Sequence, residues 1–203
     1  MKVFVMTMFN DVRDFHIAFG ILVTNTPSLP DDATRNLRRA LLSEEVKEYQ
    51  VGEKENDIIE IADALADIAY IICGTVVSYG LFPLYENSIL FNFQAKPEFP
   101  ENEKRIIRHD EIVKYHNAYE LAEINNDLGA ISTSLQGLMD AVFACAYIYG
   151  IPLPKVFSEV HKTNMAKLVN GVVLRKPNGK VAKPEGWKKP DIKNILFPNK
   201  EFV

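Results

Sequence analysis

Between Asn56 and Gly80 the chain sets Ile58, Ile59, Ile61, Ala62, Leu65, Ile68, Ala69, Ile72 and Val76 around almost the whole circumference of one helix, taking about 100° per residue. A helix that is apolar all round cannot face water, so the rest of the chain must enclose it. Helical spacing does recur on both sides. Met8, Val12, Phe15 and Phe19 follow Thr7, a candidate N-cap, and the run stops at Gly20. Pro30-Asp31-Asp32 opens a helix expected to reach Gly52. Further helices are predicted over 103–125, over 126–150 with Ile131, Leu135, Leu138, Val142 and Phe143 on one face, and from near Pro154 to Lys167. The stretch from Pro83 to Pro100, and the glycine- and proline-punctuated tail beyond Gly171, read as irregular. The expected class is all-α, a helical bundle forming one domain over residues 1–203.

Bulk properties narrow the setting. With 47% hydrophobic and 25% charged residues the composition is that of a globular domain. No unbroken run of about 18 apolar residues is present, so no membrane span is expected. The segment from Met1 to Val5 lacks the apolar core of a secretory signal, and Cys73 and Cys145 each sit inside an apolar helical stretch. Two buried thiols and no secretory signal point to the cytoplasm.

An internal repeat lies at an offset of 70 residues. Residues 56–81 align without gaps on 126–151, sharing an Asn-Asp start, Ile61/Ile131, Leu65/Leu135 and a Tyr-Gly end. The match resumes with one slipped residue where 92–96 falls on 163–167. Two halves, about 38–96 and 108–167, related by a pseudo-twofold axis, are the expected consequence. They have diverged: Glu45 falls on Tyr115, Glu48 on Ala118, Asp63 on Thr133 and Asp67 on Gly137. The first half keeps acids that the second has lost. The second half, in turn, holds Asn164 and Lys167 and runs into a basic tail over 168–193.

The acids are the chemically informative residues. Glu44, Glu45 and Glu48 lie on one stripe of their helix, and Glu60, Asp63 and Asp67 at i, i+3, i+7 on one stripe of the next. Lys47 and Lys54 are the only bases between Ser43 and Asp67, against nine acids. Alone, the glutamates would read as a solvated helix face. Two aspartates stacked in an apolar helix need cations, because an unpaired buried carboxylate costs several kcal/mol. Two acidic rungs on adjacent helices make an oxygen-only site, which suits Mg²⁺ or Mn²⁺ rather than zinc or copper. None of the four histidines has a glutamate three positions before it, which argues against a di-iron bundle. The counter-charge is far along the chain. From His161 to Lys193 nine basic residues face only Glu185 and Asp191, a net +7 in a chain of net −4, so the remainder carries −11. Carboxylate-held hard cations beside a lysine-rich tail point to phosphate chemistry. No glycine-rich phosphate loop is present. The alternatives are a non-catalytic bundle binding a nucleotide or partner through the tail, and a nucleic-acid-binding arm, against which the acidic body argues.

Leu42-Ser43-Glu44-Glu45-Val46-Lys47-Glu48, followed by Ile61-Ala62-Asp63-Ala64-Leu65-Ala66-Asp67, resembles the all-α nucleoside triphosphate pyrophosphohydrolases. That group includes MazG, the phosphoribosyl-ATP pyrophosphohydrolases and the dimeric dUTPases. Val12-Arg13-Asp14-Phe15-His16, Thr26-Pro27, the segment from Val160 to Lys167, Gly179-Lys180-Val181 with Lys183-Pro184, and Pro190-Asp191 are similar to the phosphoribosyl-ATP pyrophosphohydrolase-like branch. The resemblance implies Mg²⁺-dependent cleavage of a nucleoside triphosphate, dUTP or another non-canonical nucleotide among the options, to monophosphate and pyrophosphate. It implies Glu45, Glu48 and Asp67 as metal ligands, Glu44 as a ligand or the base orienting water, and Asn164, Lys167, Lys180 and Lys183 as phosphate contacts. Trp187 would stack on a base or pack on the body. One departure matters: the family's acid three residues before Asp67 is Ala64 here, so Asp63 or Glu60 must complete the metal shell. The repeat leaves a monomer acting as a fused pseudo-dimer and a homodimer both open.

Overall fold

A computed structural model describes residues 2–81 and 96–198. The chain folds as α1 (Lys2–Ala18), α2 (Asp32–Glu55), α3 (Ile58–Tyr79), α4 (Asn102–Ile124), α5 (Leu128–Ile148), α6 (Leu153–Met165), the two-residue strands β1 (Leu168–Val169) and β2 (Val172–Val173), and α7 (Ile192–Leu196). The helices begin where their caps dictate. Asp31 accepts from the Thr34 amide at the start of α2, Asp57 from the Ile59 and Glu60 amides at the start of α3, and Asp127 from the Ala130 amide at the start of α5. At the N-terminus the expectation differs, because α1 begins at Lys2 and Thr7 lies inside it.

Helix α3 is the axle of the fold, packed against α1, α2, α5, α6 and α7. Its segment from Ile61 to Tyr79 is buried on every side except at Asp63, Asp67 and Ile71, which are half-buried. Helices α3 and α5 do reach the length and mean hydropathy of a membrane span, although embedded polar residues interrupt the apolar run of each. In the fold, 83% of the most apolar window of α3 and 50% of that of α5 are buried within protein. Cys73 and Cys145 are buried free thiols.

The hairpins α2–α3 and α4–α5 repeat each other's contacts at an offset of 70. Asn56 and Asn126 take the same left-handed turn, with φ of 54° and 55°. The Asp57 amide donates to the Gly52 carbonyl at 2.9 Å as the Asp127 amide does to Ala122 at 3.0 Å. The Ser28 amide donates to the Tyr79 carbonyl at 3.0 Å and the Glu98 amide to that of Tyr149 at 3.1 Å. Between the halves the equivalence is reciprocal. Arg35 donates from Nε to Glu123 Oε2 (2.9 Å), from Nη2 to the Glu123 carbonyl (2.6 Å) and from Nη1 to Asn126 Oδ1 (2.6 Å). Arg105 does the same to Glu53 (3.2 and 2.9 Å) and Asn56 (2.9 Å). Tyr79 then donates to Glu123 and Tyr149 to Glu53, both at 2.5 Å. The resumed match at 92–96 lies outside the described residues but for Lys96.

The tail folds back onto the body. Beyond the β1–β2 turn, Arg175 and Val181 form a bridge, and Arg175 donates through Nη2 to the Phe19 carbonyl at 2.5 Å. Helix α7 then docks against α3 and α6. A strand ribbon and a short helix therefore stand where an irregular tail was expected.

Candidate active site

Because α2 and α3 pack as a hairpin, their acidic stripes face one cavity of about 1010 Å³. Glu44, Glu45 and Glu48 enter it from α2, and Asp63 and Asp67 from α3. Glu60, one turn before Asp63, is not among its lining residues. Glu45 is buried, Asp63 and Asp67 are half-buried, and Glu44 and Glu48 are exposed.

The buried acids are under electrostatic strain. Burial first, then the neighbouring Asp67, Glu48 and Glu44, pushes the Glu45 carboxyl far above the carboxylate range. Burial and Asp63 push Asp67 up, and burial with Glu60 and Glu48 pushes Asp63 to about 6. Glu45 Oε2 and Asp63 Oδ1 are buried without a hydrogen-bond partner. Among the described residues, no three His, Cys, Asp or Glu side chains converge into a preformed metal cage. Glu44 is engaged with the tail: Lys180 Nζ donates to both its carboxylate oxygens, at 2.8 and 2.7 Å.

The opposite wall is basic and comes from the end of α6 and the tail. Asn164, Lys167, Lys180, Lys183 and Lys189 line the same cavity. Lys167 donates to Asn164 Oδ1 at 2.5 Å, and burial holds its ammonium below the ordinary lysine range. Trp187 is pinned by its indole N–H on the Thr163 carbonyl (2.7 Å), with Lys183 and Lys167 over its ring at 4.5 and 5.3 Å from the centroid. The structure thus brings together every acid and every tail residue singled out in the sequence except Glu60.

Sequence reasoning passed over the far end of the cavity, where Phe15, His16, Leu22, Arg38 and Ile71 form the lining. Arg38 is buried, donating from Nε to Thr75 Oγ1 (3.2 Å) and from Nη2 to the Ile71 carbonyl (2.7 Å). His16 Nδ1 lies 3.0 Å from the Leu22 carbonyl, which can only accept, so Nδ1 carries the proton. Burial and the adjacent Arg38 charge lower the imidazole to about 3, leaving it neutral with its Nε2 lone pair free of a proton. His16 stood in the sequence only as the end of a motif with no role assigned, and Arg38 carried no signal, until the fold placed them together.

In the second half the equivalent of the Glu45–Asp67 approach is a filled contact. A Cβ on Gly137 would lie 2.3 Å from the Tyr115 ring, so the aromatic occupies the space that the acids leave open in the first half.

Carboxylates from α2 and α3 and lysines from the end of α6 and the tail thus line one cavity of the helical bundle. Residues 12–88 match the model of the phosphoribosyl-ATP pyrophosphohydrolase family, and a domain of that type is present there. The match spans all five acids and none of the cavity-lining lysines. The chain is also similar to an uncharacterised protein of Acanthamoeba polyphaga mimivirus, 27% identical over 150 residues, covering 66% of this chain and 59% of that protein. The chain thus spans about three-fifths of the length of that relative. No solved structure gives a significant match to the chain.

Proposed function

We propose that the chain is a divalent-cation-dependent nucleoside triphosphate pyrophosphohydrolase that cleaves between the α- and β-phosphates. The observation that carries this is the facing of the two walls, with Glu45 Oε2 and Asp63 Oδ1 buried and unpartnered on one and Lys167, Lys180 and Lys183 on the other. The donor set fits Mg²⁺, with Mn²⁺ as a substitute, because it is all carboxylate oxygen and its strained acids gain from a cation. Glu45, Glu48 and Asp67 would hold it, with Asp63 rather than Glu60 completing the shell, since only Asp63 lines the cavity. A bound Mg²⁺ supplies charge neutralisation at phosphate oxygens and a bound water of lowered pKa.

The chain's own groups do the rest. Lys180 leaves Glu44 for the incoming phosphates, and this exchange frees the Glu44 carboxylate inside the cavity. Glu44 then orients water for attack on the α-phosphorus and accepts its proton as the bond from that phosphorus to the bridging oxygen breaks. Lys167, Lys180 and Lys183, with Asn164, take up the charge of the departing pyrophosphate. Trp187 holds Lys167 and Lys183 in place as a cationic platform, in preference to stacking on a base. The offset contacts read as a gene duplication that fused two subunits and kept one site, so that a single chain suffices.

A panel of canonical, deoxy and modified nucleotides with separate pyrophosphate and orthophosphate detection tests the reading. Mg²⁺-dependent pyrophosphate release is expected. Orthophosphate alone, or no product, overturns it.

A further inference from the structure

The far end of the cavity holds a cation that the bundle does not neutralise. Among the described residues no carboxylate pairs with Arg38, and the hydrogen bonds of its guanidinium run from Nε and Nη2, leaving Nη1 without a partner. A buried guanidinium normally takes an anion or several acceptors, because its desolvation is otherwise uncompensated. Beside it stands a group of opposite hydrogen-bonding character, the unprotonated Nε2 of His16. A Cβ on Gly74 would lie 2.4 Å from Arg38 Nη2 and 2.8 Å from His16 Nε2, so both atoms crowd one point on α3 that only glycine leaves open.

The second half shows that the bundle does not require this arrangement. At the offset of 70 the equivalent of Arg38 is Arg108, which is only half-buried and pairs with the carboxylate of Glu111. The equivalent of Gly74 is Ala144. The arginine is buried only in the half that keeps its acids.

Distance supplies the ligand class. Arg38 precedes Glu45, and Asp67 precedes Gly74, by seven residues each, so both helices place this pair about 10 Å along the cavity from the acids at 1.5 Å per residue. That is the reach of a nucleoside from its 5′-phosphate to the far edge of its base, and Phe15, Leu22 and Ile71 give the cavity an apolar lining there. Resting on the nucleotide reading above, we propose that Arg38 and His16 read the base: Arg38 donates to a ring carbonyl oxygen and His16 Nε2 accepts from the adjacent ring N–H. The site would then take bases with a lactam edge (uracil, thymine, guanine, hypoxanthine) over those that put an amino group beside an unprotonated ring nitrogen. An amino group turned to the donor-only guanidinium finds no acceptor there.

The matched pairs ITP/ATP and UTP/CTP test this, by calorimetric binding in EDTA and by kcat/KM for pyrophosphate release in Mg²⁺. The oxo member of each pair is expected to be favoured about 10-fold or more, the scale of losing a designed hydrogen bond. Arg38→Gln and His16→Phe should bring the ratio near one. Gly74→Ala should do the same by intrusion, while Ala144→Gly leaves it unchanged. Equal binding of both members by the wild type overturns the base-reading proposal and leaves the nucleotide reading standing. Absence of both nucleotide binding and pyrophosphate release overturns the two together. A ratio that survives in folded Arg38→Gln, or in Gly74→Ala should the former not fold, removes Arg38 from the role.

Discussion

Tyr115 lays its ring against Gly137 at the position where, seventy residues earlier, Glu45 faces Asp67. The two halves share a backbone plan and differ in what fills one gap: aromatic carbon in the second, strained carboxylates in the first. Gly137→Ala should therefore destabilise the chain. The gain of about 1 kcal/mol from replacing a mid-helix glycine is outweighed by an overlap costing about 1–3 kcal/mol. Tyr115→Ala should remove the overlap, so that Gly137→Ala becomes stabilising in that background, as a double-mutant cycle of denaturation free energies would register.

Glu45→Gln should separate stability from function. In EDTA it removes the cost of burying and protonating this carboxyl and is expected to raise stability by about 1 kcal/mol or more. In Mg²⁺ it removes a proposed ligand, and kcat/KM is expected to fall by about 100-fold or more. Urea denaturation and pyrophosphate release, on the same preparations, check both signs.

The raised acids set a pH dependence. A carboxyl whose folded pKa exceeds its unfolded value binds protons more tightly in the folded chain, so its contribution to stability falls as pH rises from about 4 through the folded pKa. For Asp63 that pKa is about 6, and Asp67 and Glu45 shift in the same direction. Metal must displace those protons. The rise in melting temperature on adding Mg²⁺ should thus be small at pH 5 and grow through pH 8, whereas a pH-independent rise would contradict the placement of the cation among these acids.

Lys180→Ala breaks a partly exposed pair and should change stability by less than about 1 kcal/mol. Loss of the phosphate contact proposed for it should still lower kcat/KM by about 10- to 100-fold. Titrating nucleotide against the variant in EDTA would show the weakened binding directly.

Much of the frame was written in local chemistry. Asp31, Asp57 and Asp127 marked helix starts, and the ring of apolar positions from Ile58 to Val76 required a central helix. The acids were legible because carboxylates in an apolar helix are physically expensive. The start of α1 was misread because Thr7, a residue equally at home in a cap or a helix, was followed by apolar spacing that also continues backward. The tail ribbon escaped because two-residue strands leave no periodicity. The pairing of Arg38 with His16 escaped for a different reason: His16 stood in a motif without a role, Arg38 is ordinary on its own helix, and only the crossing of α1, α2 and α3 makes them neighbours.

The reciprocal arginine clamps bear on where this chain can be cut. The family match ends at residue 88, yet Glu53, inside it, is held by Arg105 and Tyr149, both outside it. A fragment stopping there would carry a carboxylate stripped of its arginine and left with Tyr49 alone, and the remainder would carry Glu123 without Arg35 or Tyr79. Removing one partner of such a buried pair costs about 3–5 kcal/mol, on the scale of a whole domain's stability. The border of the family match therefore runs between the partners of these clamps, and the acids should acquire their shape only once both halves of the chain are joined.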